Sequence, residues 1–180
     1  MAVTISNSPF HDTSIITYPY GIEDSSYSCG FHTGLDLVGL NNTDVYSVSS
    51  GTVASVNLDP NNALGIYVVI QTNDGKYFRY CHLTVGSVQV SQGQNVSTAT
   101  KIGVMGASGT NVTGPHLHLE YSTTLNWACN SFLNPCDYLG IPNVDDTIIY
   151  YSPAPQPVTT AKKHKFKWVL YANKLRGERN

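Results

Sequence analysis

The chain has 180 residues and a formal net charge of −2, and only 12% of it is charged, about half the usual share. That length suits one domain large enough to bury a core, and abundant Ser, Thr, Asn, Gly and Tyr favour strands and turns over exposed helices. A 19-residue basic tail (162–180) beside an acidic body of three basic residues against eleven acids is a poor general nucleic-acid binder, and no apolar run approaches the ~18 residues of a membrane span.

The N-terminal stretch MAVTISNSPFHDTS lacks the cationic start and apolar core of a secretory leader. Delivery outside a cell is therefore expected to depend on something other than a leader. Next comes GFHTGLDL, residues 30–37, where His32 and Asp36 stand four apart around a glycine; alone, such spacing arises by chance. Strands are expected over 44–57, 65–73, 76–83, 101–108 and 116–123, where alternation and β-branched residues coincide. Turn signals such as SSG, DPNN, NDG and SGTNVTG separate them. The pair Asp74-Gly75 predicts a tight hairpin from about 66 to 83. With no capped helical stretch and no internal repeat before a Pro-rich segment, the expected class is all-β.

Within KYFRYCHL, residues 76–83, alternation puts Tyr80 and His82 on one face and Arg79 with Cys81 on the other. One histidine on a strand is ordinarily a satisfied polar group, so the weight of His82 depends on where other histidines fall. GPHLHLEY, residues 114–121, supplies them. Side chains at i, i+2 and i+4 of a strand share a face, which puts His116, His118 and Glu120 on one side and Leu117, Leu119 and Tyr121 on the other. Two histidines on a wet sheet face are the plain alternative. His11 and His164 fit no motif and are expected to be solvated.

The four cysteines, Cys29, Cys81, Cys129 and Cys136, include no CxxC pair, which argues against a thiolate zinc cluster or a thioredoxin-like site. Cys129 and Cys136 close the short loop CNSFLNPC. They can bridge in an oxidising setting or stand as buried thiols, and all four can be plain packing residues. Beyond them the charge divides sharply. Residues 1–161 hold three basic residues against eleven acids, whereas 162–180 hold seven against one. The boundary is the Pro-rich SPAPQPVTTA, which reads as a semi-extended linker. The expected organisation is a domain over 1–150, a linker over 151–161 and a basic tail over 162–180 carrying Phe166, Trp168 and Tyr171.

Imidazole nitrogen and carboxylate oxygen suit zinc. His32, Asp36 and one histidine of the HxH pair would supply three ligands and leave a coordination position free, the signature of catalytic rather than structural zinc. The second imidazole, roughly 7 Å along the strand, would then serve as a base. The ordered set HTGLD, YCHL, GVMGASG and GPHLHLEY, with SSGTV and VSQGQNV between, resembles the M23 metallopeptidases, the lysostaphin-like endopeptidases that cut peptidoglycan cross-links. The likeness covers about 30 to 138 and ends in NPCDYL.

The resemblance implies an antiparallel two-sheet β fold with an active-site groove, a Zn2+ cofactor, and His32, Asp36 and His118 as its ligands. It implies His116 as catalytic base and His82 as a partner that hydrogen-bonds the reacting centre or stabilises the oxyanion. Some relatives also use a tyrosine shortly before the first ligand; Tyr27 stands there, or is a plain surface residue. Glu120 would orient an imidazole, or bond to a neighbouring strand. The implied substrate is the peptide of bacterial cell wall, commonly at a bond beside glycine. About 30 residues precede His32, too few for a substantial inhibitory domain, so an enzyme active as made is expected. Without a leader, a phage endolysin or virion-associated lysin is the expected setting, in the virion or in host cytoplasm with release to the wall. The tail would hold anionic wall polymers or virion proteins by long-range attraction, or simply be solvated. The rivals are a non-catalytic virion structural protein of the same fold and a wall-binding module.

Overall fold

The computed structural model describes residues 1–155; the basic tail and most of the Pro-rich linker, with His164, lie outside them. In chain order the strands are β1 (Ala2–Ile5), β2 (Ser14–Tyr18), β3 (Gly34–Gly39), β4 (Asp44–Tyr46), β5 (Gly51–Asn57), β6 (Ile66–Thr72) and β7 (Tyr77–Leu83). There follow β8 (Asn95–Val96), β9 (Lys101–Val104), β10 (Leu117–Ser122), β11 (Phe132–Leu133), a short helix α1 (Pro135–Leu139) and β12 (Ile148–Tyr151). Ten strands form one sheet in the order β1-β12-β2-β3-β10-β7-β6-β5-β8, with β11 attached to β10, and β4 pairs with β9 in a second, small sheet. Every pairing is antiparallel except β1 with β12, which is parallel. The all-β, two-sheet expectation holds.

Alternation decides which face of the central strands is buried. Leu35 and Leu37 of β3, Phe78 and Tyr80 of β7, and Leu117 and Leu119 of β10 are all fully buried, joined by Val68, Ile70, Ile16 and Ile102. Each such side chain contributes about 1.5–3 kcal/mol on burial. The opposite face of β3 and β10 is thereby free to carry polar groups.

The β6/β7 hairpin forms as expected, with Gly75 at φ +84° and its amide on Thr72 O (3.0 Å). The span 44–57 is not one strand. Between β4 and β5 the Ser47 hydroxyl donates to Ser49 O (2.6 Å) and the Val48 amide donates to the Tyr80 hydroxyl (2.9 Å). The local Ser47 bond competes with ladder pairing, and the Tyr80 hydroxyl holds the chain where it passes from one sheet to the other.

His11 is not solvated. Its ring stacks between Tyr46 (3.7 Å between centroids) and Tyr151 (4.1 Å), and burial lowers its pKa from the ordinary 6.5. A depressed folded pKa gives stability that is complete above about pH 6.5 and lost as pH falls through the lowered value. His11→Phe keeps a stacked ring that cannot charge. Melting curves at pH 7.5 and pH 5 are expected to show a smaller acid loss for this variant than for the wild type.

Candidate metal and catalytic site

Two neighbouring strands build the centre of the site. β3 and β10 pair so that Asp36 stands opposite His118 and Gly34 opposite Glu120. Residues directly opposite share a face, so the leucines that anchor both strands in the core force Asp36, His118 and Glu120 to the other side. His32 precedes β3 and swings in to meet them. One ligand atom from each of His32, Asp36 and His118 lies within 4.8 Å of the others. His118 Nδ1 is 2.8 Å from Asp36 Oδ1, His32 Nε2 is 3.1 Å from His118 Nδ1, and His32 Nε2 is 3.3 Å from Asp36 Oδ1.

Backbone carbonyls fix the imidazoles, because a carbonyl only accepts. His32 Nδ1–H donates to Pro19 O (2.8 Å), which leaves Nε2 as the nitrogen with a lone pair. His118 is turned the other way: Nε2–H faces Glu120 Oε1 (3.3 Å) and Nδ1 faces the triad. Two imidazole lone pairs and a carboxylate oxygen thus converge on one point. Zinc bonds of 2.0–2.1 Å at tetrahedral angles would separate donors by roughly 3.3–3.4 Å, close to the triangle seen here. The donor set fits a zinc ion. Asp36 is held well below the usual carboxylate range: burial opposes its charge, but the imidazoles of His118 and His32 against its carboxylate outweigh burial.

Gly34 makes room for this arrangement. A Cβ there would lie 2.7 Å from His118 Cε1 and Nε2 and 2.8 Å from Leu119 O. Gly34→Ala must therefore displace the ring of His118. Zinc affinity is expected to fall by about 10-fold or more, the scale of a disturbed ligand orientation, as read by competition with a chromophoric chelator.

The remaining histidines complete a second arc. His116 Nδ1–H donates to Gly114 O (2.9 Å), and its Nε2 lies 3.6 Å from Asp36 Oδ2. His82 departs from simple alternation. The register slips between β6 and β7 near His82, and His82 itself adopts φ +60°. Plain alternation would send it to the core with Tyr80; this bulge turns it toward the site. There its ring is 4.8 Å from that of His116 and 5.8 Å from that of His118. Its Nδ1–H donates to Ser108 O (2.8 Å), and burial lowers its pKa to about 4. At neutral pH it is an uncharged ring that presents the Nε2 lone pair.

These groups line a cleft of about 780 Å³ together with Tyr18, Tyr27, Thr113 and Leu64. Tyr27 is no plain surface residue: its ring is 5.5 Å from that of His32, and burial, with Tyr18 and Asp36 nearby, pushes its phenol up to about 12. It keeps its proton and remains a donor. Tyr18, opposite Asp36 in the β2/β3 register and 4.9 Å from the His32 ring, was not marked by any sequence motif. Thr33, inside HTGLD, and Arg79, inside KYFRYCHL, hold Glu120, a role that only the pairing of distant strands reveals.

The disulfide joins Cys29 to Cys129, and Cys81 and Cys136 are free and buried. Cys129 does not bridge to Cys136. Cys136 sits in α1 facing the core at 1% exposure, whereas Cys129 is exposed in the turn before β11, so the two thiols point apart. Cys29 and Cys129 instead tie the loop that carries Tyr27 to the loop that carries Trp127. Cys81 stands opposite His118 in the β7/β10 register, and burial keeps its thiol protonated, well above the usual range.

A family profile described as Peptidase family M23 matches residues 30–130, which contain His32, Asp36, His82, His116 and His118. The chain belongs to peptidase family M23. This M23 chain is 40% identical over 89 residues to Peptidoglycan DD-endopeptidase ShyA of Vibrio cholerae, covering 49% of this chain and 20% of that protein. It is 34% identical over 102 residues to Endolysin 2638A of Staphylococcus phage 2638A, covering 56% and 21%. It therefore spans about a fifth of the length of either relative. The catalytic domain of the antimicrobial peptidase lysostaphin from Staphylococcus simulans superposes with a TM-score of 0.59 at 25% identity, over 72% of this chain and 92% of that one. The fold is the lysostaphin-type M23 fold.

Proposed function

We propose that this M23 chain is a zinc-dependent endopeptidase that hydrolyses peptide bonds in bacterial peptidoglycan, acting as a phage endolysin or virion-associated lysin. The observation that carries the reading is the meeting, in one cleft, of three converging lone-pair donors with two further imidazoles whose Nε2 atoms are free. His32, Asp36 and His118 would hold the ion. When bound, zinc supplies Lewis-acid chemistry, polarising a carbonyl and acidifying water.

The chain's own groups perform the proton transfers. His116 Nε2 takes a proton from the attacking water and returns it to the leaving amine. His82 Nε2 accepts the water's other hydrogen and so orients it; only after gaining a proton could His82 donate to the oxyanion. Tyr27, with its phenol protonated, is the better donor to that oxyanion. An extended peptide would lie along the cleft between the Tyr27 loop and the segment 111–115. The tail over 162–180 is assigned to wall polymers or virion proteins, and the Pro-rich linker, which begins only after Tyr151 of β12, to spacing it from the domain. Among the described residues no helix is long and apolar enough to cross a membrane.

The test is mass spectrometry of muropeptides released from walls of several cross-bridge types, with and without a chelator. New amine ends that vanish on chelation and return with zinc support the reading. Stoichiometric zinc with no cleavage of any wall would favour the non-catalytic rival, against which the complete donor set weighs.

A further inference from the structure

The residue that aims His118 lies two steps behind the triad. Glu120 is almost fully buried, at 1% exposure, and its two oxygens have different partners. Oε1 accepts from the Thr33 hydroxyl (2.7 Å) and faces His118 Nε2–H (3.3 Å). Oε2 accepts from Arg79 Nε–H, on the strand β7 directly opposite Glu120. Arg79 is in turn clamped between rings. Its guanidinium carbon is 4.1 Å from the centroid of Trp127 and 5.6 Å from that of Tyr67. Trp127 belongs to the loop that the Cys29–Cys129 bridge fastens.

We infer that Arg79 is a positioning residue for metal binding: clamped by Trp127 and Tyr67, it fixes Glu120 so that Oε1 stays on His118 Nε2–H and the Nδ1 lone pair stays aimed at the ion. A carboxylate freed from Arg79 can rotate about its last bond and leave His118 without an acceptor. The ring of His118 then loses both its orientation and the preference for the tautomer that exposes Nδ1. Arginine suits the task because its planar fork donates and stacks at once, which the flexible ammonium of lysine does not. This inference rests on the reading of His32, Asp36 and His118 as zinc ligands.

The experiment uses the full chain as wild type, Arg79→Met and Arg79→Lys. Zinc affinity is measured by competition with a chromophoric chelator, beside the melting midpoint of the zinc-free protein. Arg79→Met is expected to lower zinc affinity by about 10–100-fold, with Arg79→Lys between it and the wild type, and saturating zinc should restore most of the wall-cleaving rate. Wild-type zinc affinity in both variants, even with a lowered melting midpoint, would mean that Arg79 only holds the fold, and would overturn the inference. If Arg79→Met does not fold, Arg79→Lys decides alone, since it keeps the charge and loses the fork. Failure of the wild type to take up zinc would instead remove the zinc reading itself, a separate and recognisable result.

Discussion

Replacing His116 by alanine is expected to leave zinc uptake unchanged and to lower the rate of wall hydrolysis by at least about 100-fold, the usual scale for a general base. The reason is positional. The His116 Nε2 lone pair faces the triad, yet the ring contributes none of the three converging donor atoms. Its other nitrogen is engaged with Gly114 O, so rotation of the ring cannot offer a second ligand atom in its place. His118→Ala should behave differently, losing zinc and activity together, because one of only three protein donors is gone. Zinc content by atomic spectroscopy and turnover on purified walls separate the two variants. Turnover retained by the zinc-loaded His116→Ala protein would remove it from the proposed mechanism and pass the base role to His82.

Breaking the Cys29–Cys129 bridge should cost about 2–5 kcal/mol of stability. The bridge spans 100 residues of sequence and so restricts the unfolded chain far more than a short bridge from Cys129 to Cys136 would. For a domain of this size the melting midpoint is expected to drop by about 5–15 °C on reduction or in a Cys29→Ser, Cys129→Ser double variant. Activity should fall as well, since the bridge fastens the loop bearing Tyr27, which lines the cleft, to the loop bearing Trp127. Peptide mapping of the unreduced protein should recover Cys29 linked to Cys129, with Cys81 and Cys136 alkylatable only after unfolding. Equal midpoints in oxidised and reduced samples would show that the loops are held without it.

The parts of the site that lie close in sequence were legible because strand geometry is local. The spacing in HLHLE dictates a face, and the buried partners Leu117 and Leu119 confirm which face that is. β3 does not read as a strand from sequence, because its six residues Gly34–Gly39 carry two glycines and form a motif rather than an alternating run. His82 shows a limit of periodicity: its place beside His116 depends on a bulge and a positive φ, and alternation alone assigns it to the wrong face. His11, expected to be solvated, is enclosed by Tyr46 and Tyr151 from strands far along the chain.

The sequence by itself determined the β class, the β6/β7 hairpin and the set of imidazoles and carboxylates from which a metal site could be built, since propensity, turn chemistry and side-chain alternation act over a few residues. Tertiary structure alone decided that Cys129 meets Cys29, that His118 turns Nδ1 inward while His32 turns Nε2, and that Arg79 and Trp127 stand behind Glu120. Those choices depend on strand register and on which carbonyl or carboxylate comes to lie within about 3 Å of a given ring nitrogen, and register joins residues a hundred positions apart.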